Sequence, residues 1–170
     1  MLKGKVYHVF GDNIDTDAII PGRYLNIQNP QDLAKHCFED LVPDFPAQFH
    51  KGDIIIGGRN FGCGSSRGQA PIAIRELGIL AIVAASFARI FYRNAINIGL
   101  PIFECPDIYG KVKLGDELQI DLEVGFIENG TIQERFKIVP FPNFIRAVIE
   151  NQGLINYGKA KLAARREECQ

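Results

Sequence analysis

The chain has 170 residues, of which 19 are basic and 20 acidic, and 46% of the residues are hydrophobic. A chain of this length can bury a substantial core, and we expect a single domain spanning residues 1–170. The net charge is near zero and basic residues cluster only between Lys159 and Arg166, which argues against nucleic acid and anionic membrane as partners.

The cysteines indicate a reducing compartment. Cys37, Cys63, Cys105 and Cys169 are widely spaced and form no C-x-x-C pair, so we expect reduced thiols and no metal or cofactor bound by this chain. We expect Cys63 to be a small buried filler. No apolar stretch is long enough to cross a bilayer, and the first residues lack a signal-peptide core. These features predict a cytoplasmic protein.

The first segment alternates between apolar and polar residues. Residues 5–10 are rich in β-forming side chains and predict a strand. Asn13, Asp15 and Asp17 follow with the spacing of the first three ligands of a calcium loop, but the glycine and the glutamate that such a loop needs are absent. We therefore expect these side chains to make turn and cap hydrogen bonds instead.

The next segment has weaker signals for regular structure. The prolines at its ends predict a loop over residues 21–30, followed by a short helix over residues 31–38. An irregular connection over residues 45–50 leads to a short buried strand at residues 52–57. His50, at the end of that connection, is expected to be a surface or capping histidine.

A glycine-rich run links that strand to a helix predicted over residues 70–77. The run, residues 58–67, has the sequence GRNFGCGSSR and therefore joins glycines to two hydroxyls and a guanidinium. Glycines let the backbone pass close to a ligand, and Arg67 can grip a carboxylate through two parallel hydrogen bonds. Open α/β folds bind ligands at such junctions, so the run predicts a carboxylate site.

The glycine-rich run also has features of other kinds of site. Cys63 stands where a nucleotide-phosphate loop needs Lys, and the glycine spacing misses the dinucleotide fingerprint. Residues 64–68 match the G-x-S-x-G nucleophile elbow, but hydrolases of that fold need a histidine later in the chain, and all three histidines precede it. Ser65 and Ser66 could also simply cap the next helix, although Pro71 places the start of that helix nearer Gln69 or Ala70.

The second half of the chain continues the α/β pattern. The apolar run 79–84 predicts a buried strand, and Ser86 is expected to cap a helix over residues 87–98. Arg89, Arg93 and Asn94 on that helix form either a solvated face or, in a two-chain enzyme, a surface that meets the partner.

Further predictions are a strand over residues 100–104, an antiparallel pair formed by 117–122 and 131–139, and helices over 143–150 and 154–164. The expected fold is α/β with a mixed sheet flanked by helices.

Three motifs in order carry a family resemblance. DNIDTDAIIP at residues 12–21, GRNFGCGSSRGQAPIAIRELG at residues 58–78 and SFARIF at residues 86–91 resemble the small subunits of the 3-isopropylmalate dehydratase and homoaconitase group. The resemblance covers nearly the whole chain, with a departure at Gly68-Gln69, where many members have Glu-His. It implies a swivelling-type β/β/α domain of the aconitase superfamily, active as a hydro-lyase only with a large subunit that carries a [4Fe-4S] cluster.

The resemblance also implies residue roles. The reaction would remove and re-add water on a small di- or tricarboxylate, with Ser65 as the base and Arg67 as the carboxylate-binding catalytic residue. Gly64 and Ser66 would contact the same substrate. In isolation the chain is compatible with a homo-oligomer.

The resemblance places substrate choice in the loop after the first motif. Its residues are Arg23, Tyr24, Leu25, Asn26 and Ile27. Homoaconitase-type members have an Arg after the Tyr-Leu pair, and this chain has Asn26, which favours an alkyl substituent and so the interconversion of 2- and 3-isopropylmalate in leucine biosynthesis. The alternatives are a homoaconitase or 2,3-dimethylmalate dehydratase small subunit, or a non-enzymatic carboxylate-binding regulatory module.

Overall fold

The strands form one mixed sheet in the computed structural model, which describes residues 1–167. They are β1 (Leu2–Val9), β2 (Ile54–Gly57), β3 (Ala81–Ala84), β4 (Ile102–Glu104), β5 (Glu117–Asp121), β6 (Phe126–Asn129) and β7 (Glu134–Lys137). Their spatial order is β4-β3-β2-β1-β5-β6-β7. Strands β4 to β1 pair in parallel and β1, β5, β6 and β7 pair antiparallel, so the predicted mixed α/β sheet is confirmed.

Helices flank this sheet. They are α1 (Thr16–Ile19), α2 (Pro30–Ala34), α3 (Phe45–Gln48), α4 (Gln69–Leu77), α5 (Arg89–Asn97), α6 (Asn143–Glu150) and α7 (Leu154–Glu167), with short 3-10 turns at Gly22–Tyr24 and Pro106–Ile108. The helices predicted after the glycine-rich run and near the end of the chain are therefore confirmed. Within residues 1–167, no helix combines the length and the apolar character needed to cross a membrane. The expectation of a reduced thiol at Cys169 lies outside the described residues.

The parallel strands are buried on both faces of the sheet. Ile54, Ile55 and Ile56 of β2 are all fully buried. Successive side chains of a strand point to opposite faces, and accordingly Ile55 belongs to one apolar cluster while Ile54 and Ile56 belong to the other. The continuous apolar runs seen in the sequence reflect this double burial.

Two short helices differ from the prediction. The helix expected over residues 31–38 ends at Ala34, because the next residues make tighter bonds to carbonyls three positions back, such as His36 N–H to Leu33 O at 3.1 Å. The connection expected to be irregular over residues 45–50 instead forms α3, which has Pro46 in its first turn, where a missing N–H costs nothing.

The predicted antiparallel pair was wrong in its partners. Strand β6, which was not predicted, lies between β5 and β7 and pairs with both. The carboxylate of Asp121 accepts hydrogen bonds from the N–H groups of Glu123 (2.9 Å) and Val124 (2.8 Å) and so closes a tight turn. Gly125 completes the turn with φ +83°, and the chain returns at Phe126, opposite Asp121.

Ser86 is not the cap of α5. The helix begins at Arg89 after Ala88, which makes no side-chain cap bond. The Ser86 hydroxyl instead accepts a hydrogen bond from the Asn60 N–H at 2.9 Å. Ser86 therefore ties the segment after β3 to the glycine-rich run after β2.

Candidate active site at the carboxyl ends of the parallel strands

The glycine-rich run lies against the segment that follows β1. The Gly62 N–H donates to Ile14 O at 2.7 Å, and the Thr16 N–H donates to Cys63 O at 2.9 Å. Asp15, as expected for the acids of this segment, accepts from the Ala18 N–H and caps α1. Two loops that leave neighbouring parallel strands at the same edge are thereby held side by side, which is where open α/β sheets bind ligands.

Two glycines permit this close packing. A Cβ atom at Gly58 would lie 2.1 Å from Asp12 Oδ1, and one at Gly62 would lie 2.1 Å from Phe91 Cγ. Gly62 also has φ +78°, which L side chains rarely adopt. A side chain at either position would separate the run from its neighbours.

The two serines stand at the exposed tip of the run. Ser65 and Ser66 are both exposed, and within residues 1–167 neither hydroxyl makes a hydrogen bond. The Ser65 carbonyl, in contrast, is held by the Thr16 hydroxyl at 3.1 Å and by the Arg67 N–H at 2.8 Å. The backbone at Ser65 is therefore fixed while its hydroxyl is left for a ligand.

The capping interpretation of the serines was wrong. Helix α4 begins at Gln69, and its cap position is Gly68, which makes no side-chain bond. This start agrees with the position predicted from Pro71. Neither Ser65 nor Ser66 therefore has a structural task in that helix.

Arg67 has a partner that the sequence did not suggest. Its Nη1 donates to Oδ1 of Asp17, and its side chain is only 27% exposed. Within the described residues the other guanidinium nitrogens make no hydrogen bond, so they remain for a second carboxylate. The sequence predicts only turn and cap hydrogen bonds for Asp17. Its position in the first motif was the one signal that could have marked it as a site residue, but nothing in the spacing relates it to Arg67, 50 positions later.

The loop expected to choose the substrate reaches the same place. Gly22, at its start, lies next to Arg67, since a Cβ there would be 3.5 Å from Nη1. Leu25 and Ile27 line a cavity of about 530 Å³ whose far wall comes from the start of α4. The other residues around the cavity are Gln28, Pro30, Leu33, Gly68, Gln69 and Ile72. Asn26 is exposed beside it.

Arg23 and Tyr24 are engaged with acids and aromatics of their own chain. The Arg23 guanidinium donates to Asp40 (2.6 and 2.8 Å) and to Glu39 (2.6 Å), and it lowers the pKa of Asp40. Tyr24 stacks on His36 with ring centroids 3.7 Å apart, and His36 Nδ1 lies 2.7 Å from Glu39. These contacts anchor the loop at one end, and Arg23 is not among the residues that line the cavity.

Cys63 is half-buried rather than fully buried, so the expectation of a buried filler was too strong. Burial, followed by the charge of Asp15, raises the pKa of its thiol. Cys37 and Cys105 are buried in the two different apolar clusters. Among residues 1–167, no three His, Cys, Asp or Glu side chains are grouped so as to hold a metal ion. The donor set described here therefore does not fit an iron–sulfur cluster.

Comparisons with known proteins agree with this architecture. A family model described as the aconitase C-terminal domain matches residues 42–106. The 3-isopropylmalate dehydratase small subunit of Caldicellulosiruptor saccharolyticus is 54% identical over 95% of this chain and 93% of its own length, and that of Moorella thermoacetica is 54% identical over 95% and 97%. A crystal structure of 3-isopropylmalate dehydratase from Methanocaldococcus jannaschii superimposes with a TM-score of 0.90, at 42% identity and 98% coverage of both chains.

Proposed function

The chain belongs to the family of 3-isopropylmalate dehydratase small subunits, and from this premise we propose that it supplies half of the active site of a two-subunit hydro-lyase. The reaction interconverts 2-isopropylmalate and 3-isopropylmalate, a step of leucine biosynthesis, by removing water and adding it back. A large subunit supplies the other half of the site.

The observation that carries this proposal is a cavity with an apolar wall next to the residue that follows Arg67. Leu25, Ile27 and Ile72 form the apolar wall, Gln28 and Gln69 add polar side chains, and Gly68, the residue after Arg67, completes the lining. A substrate carboxylate bound by Arg67 would place a short alkyl branch within reach of that apolar wall. Burial of such a branch is favourable by about 0.8 kcal/mol per CH₂. Among the described residues no Lys or Arg lines the cavity, and Arg23 is paired with Glu39 and Asp40, so an additional carboxylate would gain no partner there.

Ser65 is proposed as the base. Its Oγ, as the alkoxide, takes a proton from the substrate carbon, the electrons of that C–H bond form the C=C bond, and the hydroxyl leaves from the adjacent carbon as hydroxide. The proton on Ser65 and this hydroxide together make the released water, which regenerates the alkoxide. The reverse steps return water with the hydroxyl moved by one carbon. Each unit by which the serine pKa is lowered requires about 1.4 kcal/mol of anion stabilisation, for which glycine-turn N–H groups and the Arg67 guanidinium are the available donors.

Arg67 and Asp17 are proposed to act together on the substrate. Asp17 holds one edge of the guanidinium, which is half-buried, and so aims the remaining N–H groups. An oriented guanidinium can bind a carboxylate through two parallel hydrogen bonds, and this fixes the reacting carbon relative to Ser65. Ser66 and the N–H of Gly64 are proposed to complete the carboxylate site.

Expulsion of the hydroxyl is assigned to the large subunit, because the donor set of residues 1–167 does not fit a cluster. We place the assembled enzyme in the cytoplasm, since Cys37, Cys63 and Cys105 are free thiols and such thiols persist in reducing compartments.

The test is turnover by the chain reconstituted with an anaerobically prepared large subunit. We expect activity on 2-isopropylmalate that exceeds activity on homocitrate, citrate and 2,3-dimethylmalate. Ser65→Ala should lower kcat at least about 100-fold, as the loss of a general base does, with the melting temperature unchanged. Ser66→Ala makes the same side-chain change but removes a proposed hydrogen bond to substrate rather than the base, and it should cost much less.

Other outcomes have clear meanings. Preference for homocitrate or 2,3-dimethylmalate would move the chain to another member of the group. Tight substrate binding without turnover by any reconstituted pair would favour a regulatory module. Normal kcat for Ser65→Ala would exclude Ser65 as the base.

A further inference from the structure

We propose that the exposed face of α5 binds an acidic segment of the large subunit. This α5 face consists of Arg89, Ile90 and Arg93, which are all exposed, while Phe91 on the opposite side is buried. The inference rests on the proposed function only in requiring a large subunit. The new part is the identity of the surface of this chain that meets the large subunit, and the kind of side chains that the large subunit must present to it.

The α5 face lies at the same edge of the sheet as Ser65. The Phe61 N–H donates to Ser86 O at 3.0 Å, and the Ala88 N–H donates to Phe61 O at 2.9 Å. Gly62 packs directly on Phe91, which is on the buried side of α5 and therefore opposite the α5 face. Ser65 follows Gly62 by three residues, so their Cα atoms are at most about 11 Å apart. The amino end of α5, where Arg89 lies, is therefore joined to the run that carries Ser65, so a subunit that covers Ser65 can extend to the α5 face.

The two arginines of the α5 face are not held in ion pairs by the described part of the chain. Arg89 and Arg93 are one helical turn apart, and within residues 1–167 neither forms an ion pair. Five of the ten arginines pair with carboxylates, namely Arg23, Arg67, Arg75, Arg135 and Arg146, whereas Arg59, Arg165 and Arg166 also lack an ion pair among the described residues. Like charges at this spacing destabilise a helix, so two unpaired cations there are better explained by a partner that neutralises them.

A cleft lies beside the α5 face and could receive a side chain of the large subunit. It has a volume of about 450 Å³ and is lined by Phe87, Arg89, Ile90, Tyr92, Arg93 and Glu104. One oxygen of Glu104 accepts the Phe87 N–H at 3.2 Å, and its charge offsets part of the positive charge in the cleft, where two arginines face one carboxylate. Ile90 is 49% exposed. The cleft therefore suits a segment in which an Asp or Glu lies next to an aliphatic side chain, a combination of charged rim and apolar contact typical of interfaces.

Charge reversal tests this directly. The double variant Arg89→Glu/Arg93→Glu is titrated with the purified large subunit, and the dissociation constant is measured at low and at moderate salt. The matched control is Lys159→Glu/Arg165→Glu on α7, which makes the same change in net charge at exposed positions without ion pairs among the described residues. We expect the α5 variant to weaken binding at least about tenfold and to reduce the salt dependence, and the control to do neither.

Activity separates this inference from the proposed function. At saturating concentration the α5 variant should reach a kcat within about twofold of the unmodified chain, because the α5 face does not touch substrate. Unchanged affinity of the variant, or a change in KM without a change in subunit affinity, would overturn the inference. A tight, Arg89-dependent complex without isopropylmalate turnover would instead overturn the proposed function.

Amide hydrogen exchange of the unmodified chain gives a second measurement that does not depend on the variant folding. Adding the large subunit should slow exchange over residues 87–97, at the α5 face, and leave residues 154–166 unchanged. Equal exchange at the α5 face with and without the large subunit would rule out the interface.

Discussion

At the residue scale, the two main side chains of the site differ in their environment: the Ser65 hydroxyl is free, and the Arg67 guanidinium is held by a partner. Ser65 is exposed and its backbone is fixed by Thr16, whereas Arg67 is half-buried against Asp17. An exposed hydroxyl adds little to packing, so its removal should report on chemistry alone. A half-buried arginine contributes both to substrate binding and to local packing, so the activity of an Arg67 variant must be compared together with its melting temperature.

Arg67→Lys should be severe despite the retained charge. A lysine ammonium cannot hold Asp17 with one nitrogen and present two others to a substrate carboxylate. Loss of one charged hydrogen bond corresponds to a decrease in kcat/KM of roughly 10- to 150-fold. Steady-state kinetics of the reconstituted enzyme measure it, with Arg165→Lys on α7 as the control. Unchanged kinetics for Arg67→Lys would remove Arg67 from the substrate site.

Arg23 should act through its acidic partners rather than on substrate. Since the pKa of Asp40 is lowered, Asp40 stays charged at neutral pH, and the pair is lost only as pH falls through that lowered value. We expect Arg23→Gln and Asp40→Asn each to reduce kcat/KM by less than about fivefold, as for exposed pairs, and not to add in the double variant. A far larger loss for Arg23→Gln alone would show a direct contact with substrate.

At the scale of elements, the site is built from segments that leave three parallel strands at one edge. The segment after β1 supplies Asp17, the run after β2 supplies Ser65 and Arg67, and the segment after β3 leads into α5. Hydrogen bonds such as Gly62 to Ile14 and Phe61 to Ser86 join them. The loop with Leu25 and Ile27 is attached to this frame at Gly22 and through Arg23, so its middle can vary in sequence without disturbing the glycine-rich run.

Asn26→Arg should therefore alter substrate preference without altering the fold. Asn26 is exposed beside the apolar cavity, so a guanidinium there could reach a substrate with a further carboxylate. We expect the ratio of kcat/KM for homoaconitate-type over isopropylmalate-type substrates to rise by about 10- to 200-fold. Asn156→Arg on α7 is the control. A constant ratio would place specificity elsewhere, such as in the large subunit.

At the scale of the whole molecule, one half of the sheet carries the site and the other half supports it. Strands β1 to β3 end at the site and β4 continues the parallel half, while β5 to β7 extend the sheet from the far side of β1. Each face of the parallel strands packs into its own apolar cluster. The candidate site lies open at the sheet edge, as expected of a chain that completes its active site with another subunit.

The isolated chain should be folded, colourless and inactive. Its core is extensive, but the thiols of residues 1–167 are dispersed, with Cys37 and Cys105 buried in different clusters. Circular dichroism, visible absorption and iron analysis of the purified chain check the first two properties, and a dehydratase assay with and without the large subunit checks the third. Stoichiometric iron in this chain, or turnover by it alone, would contradict the two-subunit assignment.

Local patterns in the sequence determined the unit made of β2, the glycine-rich run and α4. This unit consists of a continuous apolar strand, a run of glycines and a helix with Pro71 in its first turn. Each of these features depends on residues that are close together in the chain, so residue order suffices to predict them. The same holds for the motifs that placed the chain in its family. Ser65 and Arg67 are therefore candidates for the site on the strength of residue order alone.

The tertiary structure alone decided which distant residues meet. Arg67 and Asp17 are 50 residues apart, and Arg23 and Asp40 are 17 apart, so no helical or strand period relates them. Their pairing follows from the parallel order of β1 and β2 and from the path of the loop between them. Strand β6 was missed for the same reason: its four residues carry little periodic signal, and pairing with β5 and β7 stabilises them as a strand.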